Sequence, residues 1–241
     1  MGHILRGTGL NNFVRTTSFS LLDFFFPNFC AACKNKLSVT QTCICVECLS
    51  NIQIATPERI EREYERKFQN DNIISGFQSA FVFEKDKELQ SILHSLKYNG
   101  KFLAGKTLGE LASKQVYSIL QSWNADFVVP VPLHPLKKAE RGYNQSDFIC
   151  KGLSKTINVP VKADILNRTR FTLSQTTMTL EERKENVLQA FVCKKRKIVE
   201  GKNIILVDDV ITTGATTAEC GKVLLEAGAA KVYAFSVAIA D

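Results

Sequence analysis

The run KNIILVDDVITTGATTAE, residues 202–219, restricts the possible fold more than any other stretch. Four apolar residues, Ile204 to Val207, lead into two adjacent carboxylates, Asp208 and Asp209, and then into Thr-Thr-Gly-Ala-Thr-Thr. An apolar run of that length without polar alternation reads as a strand buried on both faces, the kind found in parallel sheets covered by helices. The reading is a strand at 204–208 with both acids at its rim and a helix at 215–227 behind the small-residue turn. Ligands of such sheets bind beyond the carboxyl ends of the strands. A tight Thr/Gly turn at a helix N-terminus offers backbone N–H groups and hydroxyls to an anion, aided by the helix dipole. Carboxylates beside a phosphate cup suit a molecule bearing both hydroxyls and phosphate, such as a ribose 5-phosphate.

The preceding sequence repeats the alternation of strand and helix. FQSAFVF (77–83) reads as a strand, and Leu89, Ile92, Leu93 and Leu96 share one helical face. LGELASKQVYSIL (108–120) and NQSDFICKGLSKTI (144–157) read as helices, and ADFVVPVPL (125–133) as a strand ending in prolines. TLEERKENV, with Thr179 as N-cap, reads as a short helix, and 231–239 as the last strand. An α/β domain over 76–241 is expected, with a mostly parallel sheet flanked by helices. Residues 56–75 are highly charged and read as a linker or an exposed helix.

Residues 1–55 hold five of the eight cysteines, between Cys30 and Cys48, plus an apolar stretch at 18–29 that reads as an element docked on the protein. That stretch is short and interrupted by Asp23 and Pro27, so neither a membrane span nor a signal peptide is expected, and the expected location is the cytoplasm. In a reducing compartment, clustered cysteines point to metal. The knuckles Cys30-x-x-Cys33 and Cys45-x-x-Cys48 supply four thiolates to a closed, structural, tetrahedral Zn2+, with Cys43 an alternative to Cys45. Cys150, Cys193 and Cys220 read as core. The net charge of +7 favours anionic partners: phosphates, nucleic acid or acidic lipid.

ILVDDVITTGATT resembles the PRPP-binding motif of type I phosphoribosyltransferases. VVPVPLHPLKKAERGYNQS (128–146), HSLKYNGK (94–101) and RTRFTLSQTTMTLEERKENVLQAF (168–191) resemble the ComF family, phosphoribosyltransferase-like competence proteins. With the cysteine cluster, the likeness spans nearly the whole chain. It implies a type I phosphoribosyltransferase-like domain with a small N-terminal zinc ribbon, binding PRPP with Mg2+ and acting in DNA uptake. By that resemblance Asp208 and Asp209 hold the ribose hydroxyls, and Thr212, Thr213, Gly214, Ala215 and Thr216 cradle the 5-phosphate. Val131, Pro132 and Leu133 present backbone to the diphosphate, while Lys137, Lys138 and Arg141, on the following flexible loop, close over it. Arg168 and Arg170 either line the site or pair with the acids of Glu181–Glu185; Gln175, Arg183 and Asn186 brace the insertion. Purine-salvage relatives of the fold carry an Asp where Thr212 stands here, which speaks against purine salvage and leaves the acceptor open.

Two other functions compete. The first is a PRPP-responsive protein that binds single-stranded DNA without turnover, favoured by the basic charge and the zinc ribbon. The second is a P-loop NTPase, because Gly100 to Thr107 (GKFLAGKT) satisfies G-x-x-x-x-G-K-T. A P-loop must follow a strand, whereas 89–98 has helical periodicity and Phe102 and Leu103 fall inside the loop, so a turn between helices is expected there.

Overall fold

The computed structural model describes residues 27–38, 40–170 and 188–240. The helices are α1 (Val46–Ser50), α2 (Pro57–Lys67), α3 (Glu88–Tyr98), α4 (Phe102–Gln115), α5 (Tyr117–Ser122), α6 (Pro135–Arg141), α7 (Gln145–Ile157), α8 (Arg196–Val199) and α9 (Ala215–Glu226). The strands are β1 (Phe77–Val82), β2 (Phe127–Pro130), β3 (Leu166–Arg168), β4 (Phe191–Cys193), β5 (Asn203–Ile211) and β6 (Lys231–Ile239).

The apolar run Ile204 to Val207 lies in β5, at the middle of a parallel sheet of order β1-β6-β5-β2. Each of its four residues is 0% exposed, as a strand sandwiched between two helical layers requires. Ile205 and Val207 pack with the apolar faces of α3, α4 and α7, and Ile204 and Leu206 with that of α9. Neither sheet edge is left bare. Gln53 and Ala55 bond to β1, and Pro160 and Lys162 bond to β2, which removes the open rows of N–H and C=O groups that invite aggregation. β3 and β4 form a separate antiparallel pair.

Two glycines let α4 and α7 come into backbone contact. A Cβ on Gly109 would lie 2.2 Å from Ile149 O, and one on Gly152 would lie 2.1 Å from Lys106 O. α7 is bounded by the Asn144 side chain, which accepts from Ser146 N, and by Asn158 in the left-handed region.

Several expectations shift. β5 runs three residues beyond Asp208, because β6 keeps pairing with it through Ile211↔Ile239 after β2 has ended at the prolines. The stretch 108–120 is divided between α4, which begins earlier at Phe102, and α5. Residues 57–67, read as a linker or exposed helix, form a docked helix, capped by Thr56 with Pro57 in its first turn. Its charged composition concealed Ile60 and the following Phe68, which is 2% exposed and sits 5.5 Å from the Phe77 ring. The P-loop alternative fails: Gly105, Lys106 and Thr107 lie inside α4, where backbone N–H groups are committed to the helix, and Gly105 packs on Leu96 and Phe148. The expected helix beginning at Thr179, Gln175 and Arg183, and the apolar residues 18–26, lie outside the described residues.

Candidate functional site

A cleft of about 410 Å³ opens where β2 stops and β5 continues. Pro130 and Pro132 bring this about: neither has an N–H, so the chain leaves the sheet after Val131 N donates to Val207 O. Asp208 and Asp209, Val131, Pro132 and Leu133, Thr212, Thr213, Gly214, Ala215 and Thr216, and Lys137 and Arg141 all line this one cleft. Lys138 does not. The segment read as a flexible loop is the short helix α6, started by Pro135 and by His134, whose Nδ1 accepts from Leu136 N. A helix presents Lys137 and Arg141, four residues apart, on one side and turns Lys138 away, towards the charge of Asp147. Arg168 lines the cleft with its guanidinium over Phe191, whereas Arg170 is not among the lining residues.

The small-residue turn has the form an anion cup needs. Gly214 is in the left-handed region (φ +78°), and no side chain caps α9 from that position. Thr213 Oγ1 accepts from Ala215 N at 3.3 Å, which tightens the turn. Gly214 is required twice over, since a Cβ there would lie 2.8 Å from the Phe68 ring as well as straining the backbone.

The two acids are not equivalent: Asp209 is buried and Asp208 half-buried. Lys97, on α3, places its ammonium 2.5 Å from Asp209 Oδ2. Burial pushes Asp209 up, but the Lys97 charge and hydrogen bonding outweigh it and hold the carboxyl below the usual carboxylate range. Burial and then the neighbouring Asp209 charge push Asp208 up to about 8. Asp208 Oδ1 accepts from Asp209 N at 2.8 Å and from Ser146 Oγ at 3.4 Å. Four cations, Lys97, Lys137, Arg141 and Arg168, face these two acids across the cleft. Burial, followed by repulsion from Arg168 and Arg141, lowers Lys137. Lys97, Phe83, Gln145 and Ser146 are the site residues that sequence reasoning missed. For Lys97 the only signal was its place in HSLKYNGK, which resembled the family without indicating a role.

Elsewhere, the Sγ atoms of Cys30, Cys33, Cys45 and Cys48 all lie within 4.8 Å of one another. Four thiolates about 2.3 Å from one tetrahedral Zn2+ sit about 3.8 Å apart, and Cys33 and Cys45 are at 3.8 Å. Backbone N–H groups of Cys45 and Cys48 donate to Cys30 Sγ and Cys45 Sγ, the support that ligating sulfurs need. The donor set fits a structural zinc. The choice between Cys43 and Cys45 goes to Cys45, because the Cys43 thiol turns away to Thr107 Oγ1 on α4, 3.3 Å distant.

Comparison with known proteins agrees with this geometry. Residues 144–240 match the family model of the phosphoribosyl transferase domain. The chain is 33% identical over 147 residues to the DNA utilization protein YhgH of Escherichia coli K12, a match covering 60% of this chain and 64% of that protein, just under two thirds of its length. It is 29% identical over 154 residues to competence protein F of Haemophilus influenzae, covering 62% of this chain and 67% of that one. It is also 27% identical over 204 residues to competence protein ComFC of Streptococcus pneumoniae, covering 81% and 87%. The chain is similar to competence and DNA-utilization proteins of the ComF kind. It combines a phosphoribosyltransferase-like domain, its parallel sheet flanked by helices, with an N-terminal cysteine cluster of the zinc-ribbon kind. Among the described residues, no helix is long and apolar enough to cross a membrane.

Proposed function

We propose that this chain binds PRPP together with Mg2+ in the cleft between β2 and β5, and that it serves DNA uptake. The ribose hydroxyls meet Asp208 and Asp209, and the 5-phosphate lies in the turn Thr212–Thr216 at the start of α9. The diphosphate lies along Val131, Pro132 and Leu133, facing Lys137 and Arg141. One observation carries the reading: cations from α3, α6 and β3 converge on the cleft where the acid pair and the start of α9, from one stretch of chain, lie side by side. A ligand with a diol at its centre and phosphates at both ends complements all three.

Both carboxylates of the cleft are already engaged, Asp209 by Lys97 and Asp208 by Asp209 N, so Mg2+ arrives on the ligand's own oxygens and water. When bound, it supplies further positive charge to the diphosphate as a leaving group. The protein's part in phosphoribosyl transfer is to fix the ribose and to hold the diphosphate against Lys137 and Arg141.

Calorimetric titration with PRPP and, separately, ATP, both with Mg2+, tests the binding. PRPP binds, Asp208→Asn/Asp209→Asn weakens it by about 100-fold or more, and ATP is silent; the charge-assisted bond to Asp209 and the neutral one to Asp208 are together worth about 3 kcal/mol. ATP binding that survives the Asp changes sinks the proposal.

The names of the relatives favour a second reading, a PRPP-responsive binder of single-stranded DNA without turnover. Diphosphate release separates the two. Release in the parent but not in the Asp variants marks a transferase. Intact PRPP, together with DNA affinity that falls steeply with salt, marks the binder.

A further inference from the structure

We infer that Lys97 is a positioning residue of the PRPP site: from α3 it holds Asp209 as the ionised member of the acid pair, so that the two acids meet the ribose hydroxyls as one donor and one acceptor. The inference rests on the reading of the cleft as a PRPP site.

The rotation of α3 is set by its core face. Leu89, Ile92, Leu93 and Leu96 are all buried, and the neighbouring residues are clamped. Ser95 Oγ donates to Ala31 O at 2.7 Å and accepts from Lys34 Nζ at 2.8 Å, which ties the helix to the cysteine segment. On the other side the Tyr143 hydroxyl donates to Leu96 O. Between these anchors Lys97 reaches out to Asp209 and not to Asp208. Its side chain is 26% exposed and that of Asp209 7%, so the pair lies at the floor of an open cleft, within reach of a ligand. The other Asp209 oxygen, Oδ1, accepts from Val210 N at 2.9 Å, which fixes the plane of the carboxylate.

Two adjacent carboxylates cannot both ionise cheaply beside one contacting cation. Lys97 selects which of them does. The other charged and titratable groups facing the pair are Lys137 and Arg141 from α6, Arg168 from β3, Cys150 from α7 and Cys220 from α9. Both arginines remain cationic, and burial keeps both thiols neutral well beyond their usual range. Burial and its cationic neighbours lower Lys137, and within the acid pair Asp208 is the member pushed up to about 8. A carboxylate only accepts hydrogen bonds, whereas a carboxylic acid also donates one, so the mixed pair satisfies a diol better than two anions would. It also repels an incoming diphosphate less.

The test is calorimetric titration of the full, metal-loaded chain with PRPP and Mg2+ at several pH values from 6 to 9. The parent, Lys97→Met and Lys97→Arg are compared, each with a thermal melt. The ligand's own titration is common to all three and cancels in their ratios. The parent keeps its affinity from pH 6 to 7.5 and loses it as Asp208 ionises near pH 8. Lys97→Met binds about 10-fold more weakly at neutral pH, and loses further affinity as the pH falls from 7.5 to 6, because Asp209 without its cation takes up a proton. Lys97→Arg restores the parent's profile. If Lys97→Met does not fold, Lys97→Gln carries the same comparison. A Lys97→Met that matches the parent, or is weaker by one constant factor at every pH as a merely structural role would make it, overturns this inference alone. A parent that binds no PRPP overturns the proposed function and this inference with it.

Discussion

The cysteine knuckle and the acid-pair cleft both gather polar groups from separated stretches of chain, yet they are built in opposite ways. In the knuckle, four thiols converge within 4.8 Å and their sulfurs receive backbone N–H groups, so a single ion completes the site. In the cleft the polar groups line about 410 Å³, four cations outnumber two acids, and the N-cap of α9 is Gly214, which has no side chain to cap with. The first arrangement stabilises the fold once filled. The second keeps Asp208 raised beside the Asp209 charge and Lys137 lowered beside other cations, an electrostatic cost carried by the fold. The two regions touch through α3, which carries Ser95 against the knuckle and Lys97 against the acids.

Removing the knuckle's metal gives the largest expected effect. Chelation, or Cys48→Ser, costs roughly 3–5 kcal/mol, because binding energy at a structural site is folding energy. Scanning calorimetry registers this as a fall of about 10 °C or more in Tm. A fall confined to a few degrees would mean that the shared core of Cys30, Ile44 and Ile52 with Leu89 and Ile92 holds the knuckle without its ion.

Next comes a purely steric test at neither site. Gly109→Ala forces a methyl against Ile149 O and costs about 2–3 kcal/mol by denaturant melt. PRPP affinity measured on the folded fraction stays within about 2-fold, since α4 contributes no residue to the cleft lining.

The cleft itself answers with the opposite sign. In the folded chain Asp208 keeps its proton to about pH 8, whereas the unfolded chain sheds it near pH 4. Over that window the folded state binds more protons, so this group's contribution to stability falls as pH rises. Asp208→Asn removes the liability. We expect it to stabilise the ligand-free protein by about 1–2 kcal/mol at pH 8.5 and by little at pH 5, while weakening PRPP binding. Equal Tm values for parent and variant at pH 8.5 would falsify the charge-storing view of the cleft.

The smallest effect separates two neighbouring cysteines. Cys43→Ser keeps the parent's metal-to-protein ratio by elemental analysis and costs about 1 kcal/mol or less, for its bond to Thr107. Cys45→Ser loses the metal.

Much of both regions is legible in the amino-acid sequence. The β5 run, the acid pair and the Thr-rich turn depend on residues a few positions apart, so their local pattern already implies a buried strand, a rim and a helix start. The same holds for Cys-x-x-Cys, where a short spacing brings two sulfurs together. Residues 57–67 were harder, because Ile60 and Phe68 are too few among charges to set a periodic signal; they became core only because Gly214 leaves room for the Phe68 ring. Lys138 was grouped with Lys137 and Arg141 because a loop was expected, and a loop has no faces.

Sequence alone, then, determined the sheet, the Thr-rich turn, the sulfur pairs and the family likeness, since each is encoded within short, contiguous stretches. Tertiary structure decided what depends on the orientation of one element against another: Cys45 in place of Cys43, the contact of α4 with α7 at two glycines, and the placing of Lys97 against Asp209 and not Asp208. An ion pair across the core requires the rotation of α3 to within a fraction of a turn, and that rotation comes from the packing of Leu89, Ile92, Leu93 and Leu96 against residues far away in the chain.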